Sequence, residues 1–202
     1  MIDAIILAGG LSRRMGRPKP LLRFSEDRTF LDQIVAILRS SQVDRITAVL
    51  GAHAELVQQS IDSSGARVVV NRECEKGQLS SLIVGLTSLP ADSEAIVLCL
   101  VDNPLVTVET VDRLVAAFRK TGNPIVIPIH EGKRGHPTVF GASLFQELIE
   151  APASEGAKYV VRSHADQVLE LDVSDVAVTI GIDTPQQYRE HFGCDPCGCE
   201  AP

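Results

Sequence analysis

The stretch Ile2–Phe24, IDAIILAGGLSRRMGRPKPLLRF, decides the fold. Ala4–Ala8 has Ile5, Ile6 and Leu7 at its centre and no charge after Asp3, the pattern of a parallel strand buried on both faces. Gly9 and Gly10 follow at once, then Ser12, Arg13, Arg14, Gly16, Arg17 and Lys19. Small residues and cations are thus gathered in a loop at a strand's carboxyl end, where open α/β sheets hold their ligands. Glycine lets a backbone N–H approach a ligand oxygen, and Arg and Lys supply charge for a phosphate chain. The loop is a candidate polyphosphate site; the competing explanation is a Gly/Pro-rich surface loop with solvated cations.

Working outward, strand and helix patterns alternate. Thr29–Ser40 carries Phe30, Ile34, Ile37 and Leu38 at helical spacing, with Thr29 as N-cap. Arg45–Gly51 and Ala66–Asn71 are strands flanking a helix at His53–Ser60, and Gln78–Leu89 is a helix with Leu79, Leu82, Ile83 and Leu86 on one face. Ala95–Val101 is the most hydrophobic strand and is placed centrally, with Asp102, Asn103 and Pro104 ending it. A helix at Val108–Thr121 and a strand at Pro124–Ile129 follow, Pro128 marking an edge or a bend. Glu131–His136 is a charged glycine loop, Thr138–Phe140 is extended, and helices are expected at Ala142–Glu150 and Ser154–His164. Val168–Val173 and Ala177–Ile180 read as late strands, and Pro185 opens a last helix. The alternation implies a Rossmann-like three-layer α/β/α sandwich with a mostly parallel sheet. No linker interrupts it, so one domain is expected over residues 1–193, with a Cys-rich tail at 194–202.

Composition excludes several classes. The formal net charge of −7 leaves no global basic field for a nucleic-acid backbone, so any phosphate must be held by local cations. No apolar run approaches the roughly 20 residues that span a bilayer, and Met1 runs straight into strand without a basic leader; no membrane contact and a cytoplasmic location are expected. Three of the five cysteines, Cys194, Cys197 and Cys199, crowd into the tail, which argues against a disulfide framework. Their spacing would suit a soft metal, or it is an incidental thiol-rich end. Cys99 sits inside a buried strand, and no G-x-S-x-G elbow is present, so hydrolase chemistry gains no support.

Two common phosphate loops fail to match. Walker A needs Gly-Lys-Ser/Thr, but Gly16 is followed by Arg17 and Pro18; G-x-G-x-x-G has no register between Gly9 and Gly16. What stands there, L-A-G-G-x-S-x-R-M-G-x-x-K-x-L-L from Leu7 to Leu22, resembles the signature loop of the nucleotidyltransferases that activate sugar phosphates and the molybdenum cofactor.

Two further strand ends fall on the same sheet edge. Asp102 lies in V-D-N-P-L and Asp183 in G-I-D-T-P. Either aspartate can cap the helix that follows it, but two carboxylates aimed at a triphosphate are what Mg²⁺ takes, filling its remaining positions with phosphate and water. The resemblance gives both the role of metal ligand. Asn71, Gly77, Gln78, Ser80 and Ser81 form a polar helix start suited to a base or ribose, where the family places nucleotide recognition, or else an ordinary solvated cap. Arg134-Gly135-His136-Pro137 resembles the R-G-x-P segment near the acceptor in cofactor cytidylyltransferases; His136 binds the acceptor phosphate or caps a turn, and is not a base.

The resemblance spans Ile5–Tyr188 and is closest to the molybdenum cofactor cytidylyl/guanylyltransferase-like group. It implies transfer of NMP from an NTP to a phosphorylated small molecule of molybdopterin type, with Mg²⁺ as cofactor. Arg14 and Lys19 would neutralise the β- and γ-phosphates, and Leu7, Ala8, Gly9 and Gly10 would lie along the nucleotide. Asp102 would serve catalysis through the metal. Gly10 resembles the GTP-using branch, whereas the Gly77–Ser81 and Arg134–Pro137 segments resemble the CTP-using branch, which is favoured. A molybdoenzyme or its chaperone is the implied protein partner. A sugar-1-phosphate acceptor, or a non-catalytic accessory role in molybdoenzyme maturation, are the alternatives.

Overall fold

The computed structural model describes residues 1–61 and 65–196; Cys197 and Cys199 lie outside them. In chain order the strands are β1 (Ile2–Ala8), β2 (Arg45–Leu50), β3 (Arg67–Val70), β4 (Ala95–Leu100), β5 (Ile125–His130), β6 (Lys133–Arg134), β7 (Thr138–Gly141) and β8 (Val168–Asp172). The helices are α1 (Phe30–Arg39), α2 (Ala54–Ile61), α3 (Gln78–Thr87), α4 (Val108–Thr121), α5 (Phe145–Glu150), α6 (Ala157–Ser163) and α7 (Pro185–Phe192). Together they form the expected mixed α/β fold, one sheet flanked by helices.

The sheet runs β3-β2-β1-β4-β7-β5-β6, with β8 added beside β5. β1 pairs in parallel with β2 and β4, in register Ile5 with Thr47 and with Leu98. Every residue of β1 is buried because both faces are covered. Ile2, Ala4, Ile6 and Ala8 face a cluster with α1, α4 and Tyr188 of α7, while Ile5 and Leu7 face α3, α5 and α6. The two-residue period of the strand thus feeds two cores at once.

Helix starts fall where capping chemistry puts them. Thr29 and Asp32 form a reciprocal capping box on α1, and Thr184 and Gln187 form another on α7, with Pro185 inside its first turn. Three features depart from sequence expectation. β7 runs antiparallel between β4 and β5, so Pro128 is not on an edge; it lies where β5 exchanges β7 for β6, and its carbonyl accepts from the Gly135 N–H at 2.8 Å. The expected charged loop is a tight hairpin: Glu131 (φ 49°) and Gly132 (φ 74°) make the two-residue turn between β5 and β6.

The segment read as a strand at Ala177–Ile180 is a 3₁₀ turn, Val176–Thr179. Asp175 explains it. One carboxylate oxygen accepts from the Ala177 N–H (3.0 Å), and the other from the Thr107 N–H (3.0 Å) and the hydroxyls of Thr107 (2.9 Å) and Thr110 (2.7 Å). This cap bends the chain and fastens it to the start of α4. Burial pushes the Asp175 carboxyl up, but hydrogen bonds from Thr110 and Thr107 outweigh it and hold its pKa below the usual carboxylate range.

A depressed folded-state pKa contributes stability that is present above the unfolded value and lost as pH falls through the folded one. Asp175→Asn is therefore expected to lower unfolding stability by about 1–2 kcal/mol at pH 7. The gap from wild type should close as acid protonates Asp175. Urea melts from pH 7 down to pH ~3 check this, and equal stability at pH 7 would contradict it.

Candidate active site

The carboxyl ends of β1, β2, β3 and β4 all open on one edge of the sheet. There the loop after β1 roofs a cleft of ≈ 470 Å³, lined by Leu7, Ala8, Gly9, Gly10, Arg14, Lys19, Gly77, Ser81, Asp102 and Asp183 among others. The loop is pinned from below by Met15 and Leu22, both buried in the core. Ser12, in the left-handed region at φ 50°, accepts the Met15 and Gly16 N–H groups on its carbonyl and the Lys19 N–H on its hydroxyl (3.1 Å). Ser12 therefore sets the direction of Lys19, a function that its place in the loop motif alone did not assign.

Lys19 reaches across the cleft between the two aspartates. Its Nζ donates to Asp102 Oδ2 at 2.9 Å and, closer still, to Asp183 Oδ1. The Lys19 side chain is 13% exposed, so this ammonium is withdrawn from water and relies on the two carboxylates. Arg14, largely exposed, pairs with the other oxygen of Asp183 at 3.0 Å. Partial burial pushes the Asp183 carboxyl up, yet the hydrogen bond and charge of Lys19, joined by Arg14, hold its pKa below the usual range. The two aspartates are also joined through their backbones: the Ile182 N–H donates to the Asp102 carbonyl at 2.8 Å, and the Asn103 amide to the Ile180 carbonyl at 2.6 Å.

Glycines allow the strand ends to meet. A Cβ on Gly51, which follows β2, would lie 2.3 Å from the Gly9 carbonyl oxygen and 2.7 Å from Cys74 Cβ. A Cβ on Gly9 would crowd the Ser81 hydroxyl at 3.0 Å, whereas Gly10 faces open space. Gly51 was not singled out from sequence; a glycine at the carboxyl end of a strand neighbouring the Gly9 loop was its signal. Gly77, at φ 98°, turns the chain into α3.

Asn71 and Ser80 behave differently from the expectation of nucleotide contact: neither lines the cleft. The buried Asn71 amide donates to Ser80 (2.8 Å) and Ser81 (3.0 Å) and accepts from the Glu73 N–H (2.9 Å), while the Ser80 hydroxyl is bonded to the Glu73 and Gly77 carbonyls. They brace the start of α3, which presents Gly77, Gln78 and Ser81 to the cleft. Arg134 is also elsewhere: on the β5–β6 hairpin, its guanidinium is held by Glu170 at 2.6 Å on the surface. His136 stands in the wall of a neighbouring cavity, with a buried Nδ1 that has no hydrogen-bond partner among the described residues. Burial pushes its pKa down, Asp102 pulls it up, and Lys158 adds to the lowering; the net result keeps the ring neutral at neutral pH. Burial pushes the Cys99 thiol up to about 12, consistent with an inert core thiol.

The donor set fits a divalent cation that keeps part of its shell for water and phosphate. Asp102 and Asp183 converge on one point, and Asp102 Oδ1 is buried without a hydrogen-bond partner among the described residues. Among the described residues no three His, Cys, Asp or Glu side chains group closely enough to enclose an ion.

The model of the MobA-like NTP transferase domain matches residues 4–196. The chain belongs to that family. Over 93% of its length it is 29% identical to the nicotine blue oxidoreductase of Paenarthrobacter nicotinovorans, covering 95% of that protein. It is 26% identical to the molybdenum cofactor cytidylyltransferase of Escherichia coli K12, over 93% of both chains. The crystal structure of Rv0371c from Mycobacterium tuberculosis superimposes with a TM-score of 0.85 at 30% identity, covering 96% of this chain and 99% of that one. A manganese complex of Rv0371c superimposes at 0.80 and 29% identity, over 95% of this chain and 98% of its own. The oxidoreductase was not foreshadowed by any motif in the sequence. No helix among the described residues is long and apolar enough to cross a membrane.

The glycine contacts set up a direct comparison. Gly51→Ala is expected to cost about 1–3 kcal/mol, because backbone must move, while Gly10→Ala stays within about 0.5 kcal/mol. Denaturant melts of the two variants measure the difference, and equal stabilities would contradict the packing described.

Proposed function

We propose that the chain transfers a nucleoside monophosphate from an NTP, with CTP favoured over GTP, to a phosphate monoester, releasing pyrophosphate. The observation that carries the proposal is the partly buried Lys19 ammonium bracketed by Asp102 and Asp183 at the mouth of a cleft roofed by a glycine-rich loop. Such a set supplies one mobile cation and two anionic donors at a single point.

Asp102 and Asp183 would hold Mg²⁺, which supplies Lewis-acid neutralisation of the α-phosphate when bound. Lys19 must release both carboxylates for that role, and its ammonium then matches the β- and γ-phosphates, the other anions within reach. Arg14, already at the cleft mouth, adds charge for the departing pyrophosphate. Gly10 leaves its backbone open to the nucleotide, and Ser81 with Gly77 presents polar groups from the start of α3. In the transfer, an acceptor phosphate oxygen forms the new bond to the α-phosphorus while the bond to the α,β-bridging oxygen breaks, its electron pair leaving with pyrophosphate. An ionised phosphate monoester needs no proton removed, so positioning and charge neutralisation carry the rate.

CTP draws support from the extent of similarity: the cytidylyltransferase of E. coli is matched over 93% of both chains, a guanylyltransferase of Bacillus cytotoxicus over 66% of this chain and 64% of its own. Molybdopterin is the acceptor that the cytidylyltransferase suggests, and a molybdoenzyme or its chaperone would receive the product.

Pyrophosphate release is measured with each of four NTPs, Mg²⁺, and molybdopterin or sugar 1-phosphates. The expected outcome is turnover with CTP and molybdopterin. Lys19→Ala should lose about 10²–10³-fold in kcat/KM, with comparable losses for Asp102→Asn and Asp183→Asn. His53→Ala, on the exposed surface, should match wild type. Equal activity of Lys19→Ala and His53→Ala, or oxidation of NADH or NADPH in place of pyrophosphate release, would overturn the proposal.

A further inference from the structure

The glycine-rich loop is held from both ends of α7. Before the helix, Asp183 holds Lys19. After it, the Pro196 carbonyl accepts a hydrogen bond from Arg17 Nη1 at 2.9 Å, across 179 residues of sequence. The path between these contacts is fixed. The Tyr188 hydroxyl donates to the Arg23 carbonyl at 2.7 Å, and Phe192 meets Phe24 edge-on with ring centroids 5.7 Å apart, so α7 lies on the chain that leaves the loop. Gly193, left-handed at φ 70°, caps the helix and turns the chain, and Asp195 pairs back onto Arg189 at 2.6 Å. Cys194 packs against the core cluster that holds Phe30 and Tyr188, and Pro196 is buried. Arg17 itself is exposed and has no ion pair among the described residues, so the tail carbonyl is what orients its guanidinium.

Cys194, half-buried in this arm, is disulfide-bonded. Cys74 and Cys99 are free thiols, so its partner is one of Cys197 and Cys199, which lie outside the described residues. The crowding of thiols that argued against a disulfide framework thus serves a single local bridge. Both candidate partners follow Pro196 in sequence, so whichever is bonded closes a short ring that contains Asp195 and Pro196. Closing such a ring restricts the backbone that presents the Pro196 carbonyl to Arg17.

We propose that Cys194 is a reversible thiol-modification site, through which the oxidation state of the tail sets the order of the Gly16–Lys19 segment of the loop. In the oxidised chain the ring holds the Pro196 carbonyl toward Arg17. A thiol reductant, two equivalents of a monothiol or one of a dithiol, reverses this. Its thiolate attacks one tail sulfur and breaks the S–S bond, its second thiol displaces the mixed disulfide, and the two tail sulfurs take the protons while the reductant leaves as a disulfide. The opened tail then samples more conformations, and Arg17 spends less time on its acceptor. Lys19 follows Arg17 by two residues, with its N–H on the Ser12 hydroxyl, so order lost at Arg17 reaches the ammonium between the aspartates. The consequence for a nucleotide rests on the nucleotidyl-transfer assignment; the effect on the loop does not.

The full chain is compared in its disulfide form, isolated in air, and after dithiothreitol has been added and removed under nitrogen. Alkylation in denaturant is expected to add three labels to the first and five to the second, because two of the five cysteines are bonded. Hydrogen exchange of the peptide Leu11–Leu22 should be about three- to tenfold faster in the reduced chain, the scale of a weakened hydrogen bond to a charged group, with α4 unchanged. Arg17→Ala should exchange at the fast rate in both states, and Cys194→Ser should match the reduced wild type. Affinity for a non-hydrolysable CTP analogue with Mg²⁺ should fall about three- to tenfold on reduction of wild type and stay constant on reduction of Arg17→Ala. Five labels on the air-isolated chain, equal loop exchange in the two states, or a redox difference that persists in Arg17→Ala would overturn the switch. Faster loop exchange on reduction, in a chain that binds no NTP, removes the nucleotide assignment and leaves the switch. Pyrophosphate release by a chain whose loop exchanges equally in both states removes the switch and leaves the reaction.

Discussion

The contact on which the site depends is the Lys19 ammonium between Asp102 and Asp183. Two carboxylates brought together in a partly buried crevice repel, and a cation between them converts that cost into cohesion. Much of the surrounding structure keeps the three groups in place. Ser12 directs Lys19, the Ile182 N–H ties the Asp183 segment to the Asp102 backbone, and Asn103 fastens the same segment at Ile180. Asp175 holds the 3₁₀ turn before it onto α4. In the proposed reaction a divalent cation would take the place of this ammonium between the two carboxylates.

The second constraint is steric. Phosphate recognition by backbone needs chain segments to approach more closely than side chains permit, and here the approach is between strand ends as well as toward a ligand. Gly51 and Gly9 allow β1 and β2 to finish almost in contact, so the loop leaves the sheet at the height of α3. Asn71 then fixes α3 from the neighbouring strand end. The cleft is therefore a property of the sheet edge rather than of the loop alone.

Much of this was legible in the chain because local chemistry decided it. β1 and β4 are apolar on both faces, Thr29 and Thr184 are helix caps, and the Leu7–Leu22 motif carries its own spacing. Long-range partners were not legible. Ala177–Ile180 has strand-like residues, yet a carboxylate two residues before Ala177 and two threonines on α4 make it a turn. The insertion of β7 between β4 and β5 depends on pairing that no single segment encodes. Arg134 has the right charge in a suggestive motif, but Glu170, 36 residues away, holds it. Sequence reasoning assigned Lys19 to phosphates and Asp102 and Asp183 to metal; in the structure these three side chains contact one another.

That mutual contact is also where the account is most directly exposed to test. A crystal structure of the chain with Mg²⁺ and a non-hydrolysable CTP analogue reads the partners of Lys19 Nζ in the loaded site. The account predicts that Lys19 has left Asp102 and Asp183 for the phosphate chain, with both carboxylates turned to the cation. Lys19 still bridging the two aspartates, with the nucleotide bound and the metal held elsewhere, would contradict it.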